Sequence, residues 1–234
     1  MKKMPCLFSR EFIDKGKFIL LPQINPECEW VNTSEWKMFR KWDGTACLVR
    51  DRKVYKRYDA KRGKVPPANF EPCGEPDPIT GHNPGWVPVG DGPEDIWHRK
   101  GVFVVPNDCG AHYVPLGGEL LVPLMVPDGT YELCGPAINS NKENLIPFRD
   151  GETLMEYFYI SHQLLSLPCG PAGYLSLPLD FEEVKAFLAR QPVEGVVLWE
   201  QDSRGNFTGR MAKIRRADFG FDWPIKGNHV QPLP

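Results

Sequence analysis

Charged side chains stand within or beside apolar stretches at several places in this sequence, where charges are uncommon. They are Lys41 and Asp43 in FRKWDGTACLV (39–49), Glu132 in YELCG (131–135), Glu194 in VEGVVL (193–198), and Lys213 and Arg215 in AKIR (212–215). Burying several charges costs several kcal/mol each unless something pairs with all of them. A bound nucleotide with a divalent metal would do so, and a structural ion-pair cluster is the alternative.

The tetrad KWDG at 41–44 is weak evidence when it is taken alone. Asp-Gly is a common turn pair, and a K-x-D-G tetrad occurs by chance in roughly one chain in twenty of this size. Alternate residues of a strand share a face, so Lys41 and Asp43 are expected to project together, as are Lys213 and Arg215. Two carboxylates and a row of cations are therefore predicted to converge on one surface.

The rest of the sequence predicts the elements that hold these residues. Hairpins are predicted at 45–50 with 53–58, at 118–126 with 131–135, and at 193–200 with 207–214, because strand-like runs flank short turns there. Asp180 begins a helix that Pro192 ends. A Pro- and Gly-rich stretch at about 65–92 predicts a surface insertion. These elements indicate an α+β fold with largely antiparallel sheets and flanking helices.

Length and composition limit the class of protein. With 234 residues and 41% hydrophobic content, a single domain spanning 1–234 is expected. No apolar run reaches the roughly 20 residues of a membrane helix, and the first residues lack a signal-peptide core. The seven cysteines contain no C-x-x-C pair, and Cys73, His82, His98 and Cys109 lack the spacing of a zinc site. We expect an intracellular, cytoplasmic protein with reduced thiols and no membrane partner.

The net charge of −2 conceals one strongly basic stretch. Residues 50–64 contain eight Lys or Arg and two Asp, a local charge of +6 that leaves −8 on the rest of the chain. A local positive field attracts phosphates to one place. A solvated hairpin face is the alternative interpretation.

A family resemblance emerges when the charged stretches are taken in order. Together they resemble the nucleotidyltransferase motifs shared by polynucleotide ligases and mRNA capping enzymes, over about residues 4–226: KWDG (41–44), Arg57, ELCG (132–135), EGVV (194–197) and KIR (213–215). MPC (4–6), GHNPGWVPV (81–89) and FGFDWPI (219–225) are similar to the animal-type 5′–3′ RNA ligase family. The resemblance implies a nucleotidyltransferase (adenylation) domain of ATP-grasp-like type, and no appended OB domain is expected.

The resemblance implies that Lys41 is the nucleophile, with Asp43 as a second catalytic residue. Lys41 would attack the α-phosphate of ATP, release pyrophosphate and keep AMP on its amine. A lysine with an ordinary pKa of about 10.4 is neutral in roughly one molecule in a thousand at neutral pH, a deficit of about 4 kcal/mol. Neighbouring cations and partial burial favour the neutral amine that this reaction needs.

The other motif residues are implied to bind the nucleotide and its metal. Glu132 would hold the ribose hydroxyls, and Arg57 would meet the ribose or phosphates. Lys213 and Arg215 would neutralise the α-phosphate in the transition state. Glu194 would bind the metal, with Mg²⁺ expected and Mn²⁺ as the alternative.

Three positions fit the family pattern less well. The last motif is Lys-x-Arg where many relatives have Lys-x-Lys, which keeps the charge and alters the geometry. Arg40 precedes the nucleophile where many RNA ligases carry glutamate. Phe148 is the candidate for stacking on adenine, although PFRDG matches that motif poorly.

The expected reaction is RNA joining by a monomer. After self-adenylation, AMP would pass to an RNA 5′-phosphate, and the 3′-hydroxyl of another end would displace it. The basic stretch at 50–64 would grip the RNA backbone. A GTP-using capping-type guanylyltransferase and an inactive RNA-binding module are the alternatives.

Overall fold

The computed structural model of this chain describes residues 4–14, 17–78, 80–107, 110–162 and 179–225. Its strands are β1 (Phe8–Asp14), β2 (Lys17–Ile24), β3 (Glu35–Lys41), β4 (Thr45–Arg50), β5 (Lys53–Ala60), β6 (Glu71–Pro72), β7 (Asn83–Pro88), β8 (Gly101–Asn107), β9 (Gly110–Pro115), β10 (Gly129–Cys134), β11 (Phe148–Asp150), β12 (Thr153–Met155), β13 (Tyr157–Ser161), β14 (Gly195–Gln201) and β15 (Phe207–Arg215). The α-helices in these ranges are α1 (Ile96–Arg99) and α2 (Phe181–Arg190), and short 3-10 helices lie between some of the strands. The fold is α+β, rich in strands, as the sequence predicts.

The chain divides into two compact units. Each unit is named for its place in the sequence: the flanking unit contains residues 4–14, 17–42 and 179–225, and the central unit contains 43–78, 80–107 and 110–162. The chain passes from one unit to the other between Trp42 and Asp43. The single domain expected from chain length stays a prediction.

The central unit is built on an eight-stranded sheet. Its strand order is β6-β7-β5-β4-β10-β13-β8-β9, and every pair is antiparallel except β13 with β8. The predicted hairpin at 45–50 with 53–58 is confirmed, since β4 and β5 pair with Cys47 opposite Lys56. The expectation of largely antiparallel sheets is likewise confirmed.

Alternation along β4 and β10 separates an apolar face from a polar face. Cys47, Val49, Tyr131 and Leu133 are at most 2% exposed and belong to one apolar core. Successive strand residues point to opposite faces, so Glu132 lies on the other face of the sheet. The Glu132 carboxylate of β10 therefore points away from the core, which its neighbours Tyr131 and Leu133 help to fill.

The predicted hairpin at 118–126 with 131–135 is wrong. Residues 118–126 contain a short 3-10 helix at Gly118–Leu120 and no strand, and β10 pairs with β4 and β13. Both edges of β10 are thus occupied by strands distant in sequence. The apolar run instead places Val122 and Val126 in the core and leaves Leu124 exposed.

The Pro- and Gly-rich stretch at 65–92 is partly a strand of the sheet. β7 pairs with β5 along Tyr55–Ala60, and Trp86 and Val87 are buried. The short β6 pairs with β7 and begins the sheet order. The expected surface insertion therefore includes one integral strand, which Trp86 anchors.

The flanking unit contains a three-stranded sheet, one helix and a hairpin. The sheet order is β15-β14-β3, and β1 pairs with β2. The predicted hairpin at 193–200 with 207–214 is confirmed as β14 and β15. The predicted helix is confirmed as α2, where the Asp180 side chain accepts hydrogen bonds from the N–H groups of Glu182 and Glu183.

The core of the flanking unit lies between α2 and one face of its sheet. Val184 and Leu188 of α2 pack in one cluster with Val196, Leu198 and Ile214 of the sheet. The residues at odd-numbered positions of β14 point to the opposite face. That opposite face carries the residues of chemical interest.

Glu200 is a buried carboxylate near the end of β14. It accepts hydrogen bonds from Ser34 Oγ (2.8 Å), Thr208 Oγ1 (2.6 Å) and Arg210 NH1 (3.0 Å). Burial raises its pKa, but the hydrogen bonds from Thr208 and Ser34 and the charge of Arg210 outweigh burial and hold the pKa below its ordinary value. Such a carboxylate stabilises the fold above its unfolded-state pKa, and this stability is lost as pH falls through the folded-state pKa.

We expect Glu200→Gln to lower the free energy of unfolding by about 1–3 kcal/mol at neutral pH, because three donors lose a charged acceptor. The difference from wild type should shrink as pH falls below about 4.5, where the carboxylate of the unfolded chain takes up a proton, towards the lower pKa of the folded state. Urea unfolding of both proteins at neutral and acidic pH measures this difference in the free energy of unfolding. Glu182→Gln, at an exposed carboxylate of α2, is the control. A difference that stays constant with pH would contradict this role.

The cysteines among the described residues, at 6, 28, 47, 73 and 134, are free thiols. None of the helices in the described ranges combines the length and apolar character needed to cross a membrane. The cytoplasmic location stays a prediction.

Candidate functional site

Lys41 is the last residue of β3, and strand pairing places it in one row with Arg215 and with Gly195, the neighbour of Glu194. Lys41 is opposite Gly195 on β14, and Gly195 is opposite Arg215 on β15. Lys213 lies opposite Val197, two residues further along β14. Residues that are directly opposite share a face of the sheet. Three of the predicted cations therefore lie on one face of the flanking unit.

Gly195 is required between these cations. A Cβ at this position would lie 2.3 Å from the carbonyl oxygen of Ile214, a distance that real Cβ atoms do not tolerate. A glycine therefore allows β14 and β15 to approach each other here. Its lack of a side chain also leaves nothing between Lys41 and Arg215 in that row of the sheet.

Lys41 forms an ion pair with the predicted metal ligand. Its Nζ lies 2.6 Å from Glu194 Oε2, and the two side chains are 21% and 11% exposed. Glu194 lies immediately before β14, where its carbonyl accepts a hydrogen bond from the N–H of Arg216. The main chain at Glu194 is thus held, and its carboxylate is directed at the Lys41 amine.

The charge of Lys213 is disfavoured by its surroundings. Burial lowers the pKa of the Lys213 amine, and the like charges of Arg215 and Lys41 lower it further, against the carboxylates of Asp218 and Glu194. The cations of this face therefore act on one another. An arriving anion would relieve their repulsion.

Arg215 is held by a carboxylate that the sequence did not reveal. Asp218 Oδ1 accepts from Arg215 NH2 (2.8 Å), and Oδ2 accepts from the Arg215 backbone N–H (2.9 Å). These hydrogen bonds raise the pKa of the Arg215 guanidinium. Asp218 also accepts from Arg10 NH2 at 2.7 Å. The spacing Arg-x-x-Asp after a strand is the only local signal for this contact.

Glu132 in the central unit is fixed by two partners. Its Oε1 accepts a hydrogen bond from the Gly44 N–H (3.1 Å), and His162 Nε2 lies 3.0 Å from its Oε2. A Cβ on Gly44 would lie 2.3 Å from the Leu133 carbonyl oxygen, so the Asp-Gly pair permits a close approach to β10. His162 is a site neighbour that sequence reasoning missed.

Asp43 does not extend the strand of Lys41, so the strand on which their predicted shared projection depends is wrong. β3 ends at Lys41, so strand alternation does not reach Asp43. Asp43 lies in the central unit, where Asn139 Nδ2 donates to Oδ1 (2.9 Å) and Lys142 Nζ lies 3.3 Å from Oδ2. Its backbone N–H donates to the buried Glu143 carboxylate (2.7 Å).

Arg57 lies on the same face of the central sheet as Glu132. Tyr55 is opposite Leu48 and Glu132 is opposite Ala46, so Arg57 shares their face by alternation. The Arg57 guanidinium lies over the Trp86 ring at 5.4 Å, and its NH1 contacts the Cys73 sulfur at 3.7 Å. Its contact with ribose or phosphate stays a prediction.

The face of the central sheet that carries Glu132 and Arg57 also carries Phe158, which packs against Phe148, the residue predicted to stack on adenine. Phe158 of β13 stacks on Phe148, with ring centroids 5.8 Å apart and planes at 10°. Tyr113 packs edge-on against Phe148 at 4.8 Å. Phe148 is thus packed against two rings, and stacking on adenine stays a prediction.

Arg40 lies on the opposite face of its strand from Lys41. It is opposite Val196, which belongs to the core of the flanking unit. Its guanidinium stacks on Trp42 at 3.9 Å from the ring centroid. The departure from the family pattern at this position therefore falls on the side of the sheet away from Lys41.

The residues present fit a magnesium ion that arrives with a nucleotide. Within the described ranges, no three His, Cys, Asp or Glu side chains form a ready-made metal site. Mg²⁺ usually takes one or two protein carboxylates and completes its shell with waters and substrate phosphates. Glu194 supplies one carboxylate beside cations that favour phosphate, which suits this mode of binding.

The predicted residues thus form two sets. Lys41, Glu194, Lys213 and Arg215 come together in the flanking unit, and Asp43, Arg57 and Glu132 belong to the central unit. No protein-family model and no curated protein matches this chain. The chemistry of these two sets, and the resemblance of their motifs, carry the functional argument.

Proposed function

We propose that this protein is an ATP-dependent 5′–3′ RNA ligase that forms a covalent lysyl-AMP on Lys41. The observation that carries the proposal is the contact between Lys41 Nζ and Glu194 Oε2, on a sheet face that also presents Lys213 and Arg215. An amine, a carboxylate and two further cations suit attack on a phosphate.

In the first step the Lys41 amine attacks the α-phosphorus of ATP. An N–P bond forms, the bond from the α-phosphorus to the bridging oxygen breaks, and pyrophosphate leaves with that electron pair. The attacking amine must lose a proton, and Glu194 Oε2, which lies 2.6 Å from it, is placed to accept that proton.

Lys213 and Arg215 have a second task once the amine attacks. Negative charge builds on the non-bridging oxygens of the α-phosphate, and positioned cations stabilise it. The Asp218 carboxylate accepts hydrogen bonds from the guanidinium and from the backbone N–H of Arg215, so the Arg215 side chain needs little reorganisation when it contacts phosphate. A bound Mg²⁺, held by Glu194 and phosphate oxygens, would supply further charge neutralisation.

Glu132 and Arg57 are proposed to contact the nucleoside part of ATP. Glu132 is held by Gly44 and His162, and a carboxylate is a suitable acceptor for ribose hydroxyls. Arg57 offers a cation on the same face of the central sheet. Asp43 would act through the turn that it forms, because its side chain and its backbone N–H are both engaged.

The second and third steps join RNA ends. A 5′-phosphate oxygen attacks the phosphorus of lysyl-AMP and releases Lys41, which leaves AMP linked to the RNA end. The 3′-hydroxyl of another end then attacks that 5′-phosphorus, a phosphodiester forms, and AMP leaves.

The basic stretch offers fewer cations to RNA than its composition suggests. Lys56 pairs with the buried Asp95, and Arg50 NH2 lies 2.7 Å from Glu71. The exposed members are Arg52, Lys53, Lys61, Arg62 and Lys64. We propose the exposed run at 61–64 as the main contact with the RNA backbone.

A labelling and sealing assay tests the proposed function. The protein is incubated with Mg²⁺ and α-labelled ATP or GTP, and then with 5′-phosphorylated RNA. We expect covalent label from ATP alone, followed by sealed RNA. Label from GTP alone would indicate a capping-type guanylyltransferase, and RNA binding without any label would indicate an inactive RNA-binding module. Either result would contradict the proposal.

A further inference from the structure

We propose that Arg10 and Arg215, joined through Asp218, form a phosphate-binding pair in the flanking unit. Arg10 NH2 and Arg215 NH2 donate to the same oxygen, Asp218 Oδ1, at 2.7 and 2.8 Å. The two guanidinium groups are therefore neighbours. The identity of the bound phosphate, from ATP or from RNA, rests on the proposed function, whereas the inference that the pair binds phosphate does not.

The hairpin that carries Arg10 is fastened to the strand that carries Arg215. The Leu7 N–H donates to the Lys213 carbonyl (2.7 Å), and the Lys213 N–H donates to the Pro5 carbonyl (3.0 Å). The first described residues thus run alongside β15 before β1 begins. This pairing explains how a residue so early in the sequence reaches Asp218.

The Arg10 side chain is held in one orientation. Its guanidinium carbon lies 4.3 Å from the centroid of the Phe18 ring on β2, a distance typical of cation–π contact. Its side chain is 25% exposed, that of Arg215 is 33% exposed, and the Asp218 side chain is fully buried. Both arginines therefore keep a solvent-accessible part next to a buried carboxylate.

One carboxylate cannot neutralise two guanidinium groups. Asp218 carries a single negative charge, so the pair retains a net positive charge. In addition, Arg10 Nε is buried and has no hydrogen-bond partner among the described residues. A buried unsatisfied donor is unfavourable, and a purely structural ion pair gives no reason to keep one.

The wider charge balance of the flanking unit indicates an anion. The linked charged groups are the cations Arg10, Lys41, Lys213 and Arg215 and the carboxylates Glu194 and Asp218. Four cations against two carboxylates leave an excess of two positive charges, or of one if Lys213, whose charge is disfavoured, is neutral. A phosphate group carries about that charge with opposite sign, and guanidinium groups bind phosphate through paired N–H donors.

Two phosphates of the proposed reaction could occupy this pair, and both have the same chemistry. One is the β,γ-phosphate tail of ATP, which leaves as pyrophosphate. The other is the 5′-phosphate of the RNA end. The experiment therefore uses inorganic tripolyphosphate to represent the first and a short 5′-phosphorylated RNA to represent the second.

Calorimetric titration of each probe into wild type and Arg10→Gln tests the pair. We expect Arg10→Gln to weaken the binding of tripolyphosphate, of the phosphorylated RNA or of both by about tenfold or more, because a charge-assisted donor is lost. The probe that is affected identifies the phosphate. Arg10→Lys keeps the charge without the fork of donors and is expected to restore part of the affinity.

Lys17→Gln is the matched control, because it removes one positive charge from the same hairpin at an exposed position opposite Asp14. Equal weakening by Lys17→Gln and Arg10→Gln would overturn the proposal, since it would indicate only a general field. Unchanged binding of both probes by a folded Arg10→Gln would overturn it too. Phosphate binding requires no catalysis. The titration can therefore support the phosphate-binding pair even if the protein never forms lysyl-AMP and the proposed function is wrong.

Discussion

Replacing Lys41 with alanine is expected to abolish covalent labelling by α-labelled ATP, a loss of at least about a thousandfold. No other group can substitute for the attacking amine, because the neighbouring Lys213 and Arg215 are proposed to contact phosphate oxygens instead. The change also removes the ion pair with Glu194, which is mostly buried. Labelling followed by denaturing electrophoresis measures the loss.

Two further variants separate loss of the nucleophile from loss of folding. Lys41→Arg keeps the positive charge beside Glu194 and remains protonated, so it should fold like wild type and stay unlabelled. Lys185→Ala removes a lysine from an exposed pair with Glu182 on α2 and should label normally. Full labelling of a folded Lys41→Ala protein would show that another residue carries the adenylate.

Replacing Glu194 with glutamine is expected to slow self-adenylation by about a hundredfold and to raise the Mg²⁺ concentration needed for half-maximal labelling. The variant loses both a proton acceptor 2.6 Å from the Lys41 amine and the carboxylate proposed to hold the metal. A magnesium titration of the labelling rate measures both effects.

Glu182→Gln is the matched control for Glu194→Gln. It removes a carboxylate that pairs with a lysine at 3.5 Å on the surface of the same unit, far more exposed than Glu194. Its labelling rate and magnesium dependence should equal those of wild type. An unchanged magnesium titration in Glu194→Gln would contradict the metal-binding role, even if the labelling rate falls.

Local patterns predicted the elements around the candidate nucleophile well. Turn residues and alternating apolar positions indicated the hairpins β4–β5 and β14–β15, and Asp180 indicated the start of α2. These signals lie within a few residues of one another along the chain. Strand alternation predicted that Lys213 and Arg215 share a face, and the order of the motifs placed Lys41 and Glu194 in the same expected site.

Long-range pairing could not be predicted in the same way. The apolar run at 118–126 looked like the partner of 131–135, but β4 and β13 occupy both edges of β10. Strand choice depends on which distant segments compete for an edge, and a local pattern does not contain that information. For the same reason the sequence did not indicate that β7 joins the sheet.

The supporting contacts of the site were the hardest to foresee. Arg10 and Asp218 are 208 positions apart, and His162 and Glu132 are 30 apart. Each is a common residue type in an unremarkable local setting. Only the folded arrangement connects Arg10 to the motif residue Arg215, and this connection is the basis for the proposed phosphate-binding pair.

Peptide mapping by mass spectrometry tests the central claim most directly. The protein is incubated with ATP and Mg²⁺, digested, and searched for peptides that carry the mass of one AMP. The proposed chemistry predicts AMP on the side-chain nitrogen of Lys41 and its disappearance when pyrophosphate is added, because the step is reversible. AMP on any other residue, or a folded protein without an adduct, would contradict the claim.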